Sequence, residues 1–138
     1  MLPTYSLIMP RIPLKLKSNI VIVNASVMGR RGTRVVQMVL DTGASLTTIP
    51  YEIAISIGVD PTRSNKKIPI MTASSMEYAT LITVPRFTLF EYTLSNVQVV
   101  CMDLPTANND IQGLLGLNVL DEFNVFLGFR QKILEITR

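Results

Sequence analysis

Short runs of β-branched and aromatic residues, each closed by a turn signal, recur along almost the whole chain, and this pattern admits little but β structure. Ile20 to Val27 reads as a strand and Thr33 to Leu40 as a second, joined at Gly29-Arg30-Arg31-Gly32 as a hairpin with glycines where positive φ is wanted. Lys67 to Met71, Tyr78 to Phe90 and Tyr92 to Met102 continue the pattern, with Thr72-Ala73-Ser74-Ser75 as a polar tip. Leu104 to Asp110 is a loop, and Ile111 to Leu115 is a short apolar run closed by Gly116. Val125 to Gly128 and Lys132 to Ile136 form two last strands about Phe129-Arg130-Gln131. Only two stretches read as helical. In one, Thr47-Thr48-Ile49-Pro50, with a Thr before Pro, predicts an N-capped helix with Pro at its first position and a stop at Gly58. In the other, Leu117, Leu120 and Phe123 have helical spacing. The expectation is one all-β domain over residues 20–138 with one or two short helices. Pro3, Pro10 and Pro13 make residues 1–19 an extended arm.

Composition narrows the chemistry. With 48% apolar and 17% charged residues, the 138-residue chain can bury a core. It contains no His, which removes Ser-His and Cys-His nucleophile pairs, His-ligated metals and imidazole acid/base chemistry. Cys101 is the single cysteine, so no intrachain disulfide or thiolate cluster can form, and a reducing, cytoplasmic setting is expected. No apolar stretch approaches the roughly 20 residues of a spanning helix, and no charged leader precedes an apolar run, so neither a membrane partner nor a signal peptide is expected. Any catalysis must use carboxylates, hydroxyls, Lys or backbone dipoles.

One constellation meets that condition. Val35-Val36-Gln37-Met38-Val39-Leu40 runs straight into Asp41-Thr42-Gly43-Ala44-Ser45. A carboxylate at the end of an apolar strand loses solvation and needs a partner or a proton. Gly43 lets the chain turn tightly enough for local N–H groups to face the carboxylate, the fixed orientation that acid/base chemistry requires. Taken alone, the five residues fit a surface turn equally well.

Their context adds more. The order is apolar strand, Asp41-Thr42-Gly43-Ala44, short helix, β-hairpin, further strands, then Leu114-Leu115-Gly116 leading into Leu117-Asn118-Val119-Leu120. Over residues 20 to 137 this resembles the retropepsin-like aspartic proteases, and Leu46 to Gly58 resembles their bacterial and archaeal members. The resemblance implies a closed β barrel acting as a symmetric dimer, with no metal or other cofactor. It implies Asp41 as the catalytic carboxyl. Thr42 would brace the partner's active-site loop, and Gly43 would present its N–H to the carboxylate. Ala44, Ser45 and Leu114 would contact substrate, with Ser45 alternatively capping the loop, and Gly116 would permit close backbone approach. The hairpin around Met71 to Glu77 falls where the family has its flap, making Thr72, Ala73 and Ser74 substrate-binding. Retroviral flaps are usually glycine-rich, whereas this tip, Thr72-Ala73-Ser74-Ser75-Met76, has no Gly.

The aspartic-protease mechanism needs two carboxyls sharing one proton, since like charges about 3 Å apart cannot both ionise readily. The chain has a single Asp-Thr-Gly and no room for two pepsin-like lobes. The second carboxyl is therefore expected from an identical chain, making a homodimer. Lys132 to Ile136 is the better candidate for strand pairing across the axis. The expected activity is endoproteolysis of a peptide or protein substrate; the rival is an inactive dimerisation or peptide-binding module of the same fold. Arg30, Arg31 and Arg34, like Arg63, Lys66 and Lys67, read as solvated turn charge in a chain of net charge +3 with no aromatic stacking platform, so no nucleic-acid partner is expected. The seven Met residues read as core filling and Cys101 as a buried small hydrophobe.

Overall fold

A computed structural model describes residues 11–17, 19–71, 74–104 and 111–138. The chain enters through β1 (Arg11–Pro13) and β2 (Lys15–Lys17) and forms a hairpin from β3 (Ile20–Gly29) and β4 (Gly32–Leu40). After the Asp41 turn come β5 (Thr48–Ile49), α1 (Tyr51–Ser56) and a single 3₁₀ turn at Pro61–Arg63. β6 (Lys67–Met71), β7 (Met76–Leu89) and β8 (Tyr92–Cys101) follow as an antiparallel meander. β9 (Gly113–Leu115), α2 (Leu117–Leu120), β10 (Asn124–Gly128) and β11 (Ile133–Thr137) complete the chain.

The main sheet runs β2-β3-β4-β9-β5-β8-β7-β6, and a further pairing of β3 with β7 closes it on itself. This is the expected closed barrel with two short helices. Strand alternation fills it. Val23, Ala25 and Val27 on β3, Val36 and Met38 on β4, and Val84, Phe87 and Leu89 on β7 point inward, while Asn24 and Val35 face out. Ile53 and Ala54 of α1 and Val119 and Leu120 of α2 join the same core. Cys101 lies there too, fully buried.

A smaller antiparallel sheet, β1-β11-β10, packs Leu134 and Ile136 against the barrel. Arg11 and Glu135, directly opposite in its register, form an ion pair of 2.9 Å.

Three local expectations change. No hydroxyl caps α1: Pro50 occupies the N-cap position, because the sheet draws Thr48 into pairing with Val100 and Leu114. In the β3–β4 hairpin only Gly32, not Gly29, has positive φ. Finally, β11 pairs within the chain, with β1 from Ile133 to Glu135 and with β10 from Ile133 to Thr137, so among the described residues little of it is left unpaired for pairing across an axis.

Candidate active site

Asp41 leaves the end of β4 at the point where β9 enters the sheet. β9 lies parallel to β4, with Leu40 opposite Leu115, and antiparallel to β5, with Thr48 opposite Leu114. It therefore sits between two strands that are near neighbours in sequence and separates the two ends of the Asp41 turn. Close packing makes this possible. A Cβ on Gly113 would fall 2.2 Å from the Thr48 carbonyl oxygen, and one on Gly116 would fall 2.6 Å from the Leu46 carbonyl carbon. Only glycine fits at either position.

Main-chain bonds then hold the turn. The Asp41 N–H donates to the Leu115 carbonyl at 3.0 Å, and the Ala44 N–H donates back to the Asp41 carbonyl at 3.2 Å. The Gly43 N–H donates to Asp41 Oδ1 at 2.9 Å. The carboxylate is thus oriented locally but remains half-buried, not enclosed. Among the described residues no cation forms an ion pair with it. Thr42 and Gly43 are exposed.

Sequence reading missed the residues that anchor the far side of this turn. The Leu117 N–H donates to the Ala44 carbonyl at 2.8 Å, and the Asn118 N–H donates to the Ser45 carbonyl at 3.1 Å. The Thr47 N–H and hydroxyl both donate to Asn118 Oδ1, at 2.8 and 2.9 Å. Thr47 Oγ1 in turn accepts from the Gly116 N–H at 3.0 Å, and Asn118 Nδ2 donates to the Gln98 carbonyl at 2.7 Å. Thr47 is fully buried, and every polar atom of this network has a partner, as burial demands. The one sequence signal was a polar Asn within the apolar run Leu117 to Leu120.

Two concavities flank the turn. One, of about 320 Å³, is lined by Gly43, Ala44, Ser45 and Leu114 together with Ile68 to Met71 of β6, Leu46, Thr48, Val100 and Met102. The structure thus gathers Ala44, Ser45 and Leu114 into one cleft and adds the β6 strand as its wall. Beyond it the β6–β7 hairpin carries exposed Met71, Met76 and Tyr78. Ser74 is exposed at the hairpin, while Thr72 and Ala73 lie outside the described residues. The second concavity, of about 310 Å³, lies on the Thr42 side and is mainly apolar, with Leu40, Leu117, Leu120, Phe123, Val125 and Leu127.

Cys101 faces the core between two lining residues of the first cleft. Burial, with a smaller contribution from the Asp103 charge, pushes its thiol up to about 12, so it is not a nucleophile there. Among the described residues no three His, Cys, Asp or Glu side chains cluster as metal ligands, and no helix is long and apolar enough to cross a membrane.

The barrel and its inserted strand have a solved counterpart. A retropepsin-like aspartic protease from Rickettsia conorii superposes with a TM-score of 0.70 over 93% of this chain and 90% of that chain, at 20% sequence identity. No curated protein matches the chain. The family model described as aspartyl protease matches residues 23–119, a stretch that runs from β3 through the Asp41 turn and the β9 insertion into α2. With more than half of its length matched, the chain belongs to the aspartyl protease family.

Proposed function

We propose that two copies of this chain assemble about a two-fold axis into an aspartic endopeptidase. The observation that carries this reading is the setting of Asp41: a half-buried carboxylate without a cation partner among the described residues, oriented by Gly43 and tied to Leu115, beside a cleft walled by β6. A carboxylate kept for folding alone has no need of such an opening. Peptide or protein substrate lies extended in that cleft against Ala44, Ser45 and Leu114, and Thr72, Ala73 and Ser74 are assigned to substrate binding as well. The apolar groove on the Thr42 side receives the second copy, where Thr42 braces the facing loop.

At the axis the two Asp41 carboxyls share one proton. The ionised one takes a proton from a water molecule as its oxygen adds to the scissile carbonyl carbon. The protonated one hydrogen-bonds the carbonyl oxygen and passes it its proton, making the second hydroxyl of the tetrahedral diol. The C–N bond breaks as the nitrogen takes a proton from the pair and one diol hydroxyl returns a proton to it, releasing an amine and a carboxylic acid and restoring the shared proton. No acyl-enzyme forms, and no metal or cofactor takes part. The single buried cysteine fits a reducing, cytoplasmic setting.

Asp41→Asn tests this reading. Peptide cleavage falls by about 10²–10⁴-fold while sedimentation still gives a dimer. Undiminished cleavage by the variant refutes the role of Asp41. A parent protein that dimerises but cleaves no peptide in a diverse library is the binding module of the same fold instead.

A further inference from the structure

The opposite end of β4 from Asp41, about 30 Å away along the strand, carries a third concavity. It measures about 530 Å³ and brings Arg30 and Arg31 of the β3–β4 turn together with Arg63 of the 3₁₀ turn. Read along the sequence, these arginines belong to separate turns; folded, they line one space. The arrangement is fixed by the main chain. The Arg31 N–H donates to the Ile57 carbonyl at 3.1 Å, seating the hairpin turn on the end of α1. Gly58, at φ +93°, then passes under the side-chain stems: a Cβ there would lie 3.0 Å from Arg31 Cγ and 3.3 Å from Arg30 Cγ.

The charges in this space are unbalanced. Among the described residues none of the three guanidiniums is in an ion pair, whereas the neighbouring Arg34 reaches Glu52 at 3.7 Å. The one acid in the lining, Asp60, accepts from the Thr62 N–H at 2.9 Å and the Thr62 hydroxyl at 2.7 Å. Those two bonds, with a smaller contribution from the Arg63 charge, hold its carboxyl below the usual range, so it stays charged and offsets part of the positive charge while leaving an excess. Half-exposed Ile55 and Val59 give the cavity an apolar floor.

We infer that this cavity binds a phosphate-bearing small anion. Guanidinium forks pair with phosphate oxygens two at a time, and a cavity lined by three arginines from two turns matches a group with several such oxygens. The volume falls within the roughly 300–1,000 Å³ of small-molecule sites. No aromatic ring lines the space to stack a base, which separates this site from a single-strand nucleic-acid groove.

The inference is tested on the full chain by calorimetry and amide NMR with inorganic pyrophosphate and with ATP at low salt. At least one probe binds, with shifts confined to residues 29–32 and 55–63. The double variant Arg30→Gln/Arg63→Gln loses about tenfold or more in affinity, at unchanged thermal stability because both side chains are exposed. ATP binding more tightly than pyrophosphate identifies a ligand with an apolar body on Ile55 and Val59; equal affinity identifies the phosphate group alone. Failure of both probes at millimolar concentration overturns the inference. So do shifts centred on Lys66 and Lys67, or a double variant that binds as the parent does. An oligonucleotide that binds where both small probes fail assigns the patch to nucleic acid instead.

Discussion

The main-chain N–H of Asp41 donates to the carbonyl of Leu115 at 3.0 Å, joining the two motifs that lie far apart in the sequence. The acid is therefore positioned by a strand inserted beside it, and not by its own turn alone. Gly113 and Gly116 bracket that strand, and their missing side chains let it in.

Gly116→Ala puts a methyl group into the Leu46 backbone. The expected cost is about 1–3 kcal/mol, read from urea unfolding, together with reduced cleavage because the Asp41 turn shifts. Parent-like stability would show that the backbones are not in contact there.

Thr47→Val removes the hydroxyl that links Gly116 and Asn118 while nearly preserving volume. It leaves a buried N–H without an acceptor, so a loss of about 1–3 kcal/mol is expected. Thr47→Ser restores most of it. Equal loss in both variants would assign the effect to the methyl group and its packing.

The Cys101 thiol, raised from 9.0 to about 12, is preferred neutral in the fold. Its contribution to stability is complete below pH 9.0 and declines as pH rises from there toward about 12. At pH 8 a thiol reagent reacts quickly in urea and slowly with the native protein. Fast native labelling would place the side chain outside the core.

Leu117 is 44% exposed in the apolar groove beside Thr42, so a charge there need not disturb the core. Leu117→Glu is expected to shift the dimer toward monomer and to lower cleavage at micromolar concentration, with recovery as concentration rises. Sedimentation and activity unchanged at every concentration would place the subunit contact on another face.

Much of the barrel was legible because strand periodicity is local. Ile20 to Leu40 and Lys67 to Met102 carry their alternation in adjacent residues, and the Asp41 turn carries its Gly two positions on. What was not legible depends on distance in sequence. Nothing around Thr47 announces a partner at Asn118, and the expected Thr cap before Pro50 does not form, Thr48 pairing instead with β8 and β9. β11 reads as the partner of the strand before it, joined at Phe129-Arg130-Gln131, but nothing in the sequence announces β1 on its other side. Arg63 likewise meets Arg30 and Arg31 only after α1 turns the chain back.

Mixing the parent with the Asp41→Asn variant and following peptide cleavage most directly tests whether one active site draws on two chains. At constant total protein, after subunit exchange, activity should fall as the square of the parent fraction, because a mixed dimer holds one carboxyl and cannot share a proton. Activity directly proportional to the parent fraction, indifferent to the variant, would mean that each chain works alone and would contradict the account.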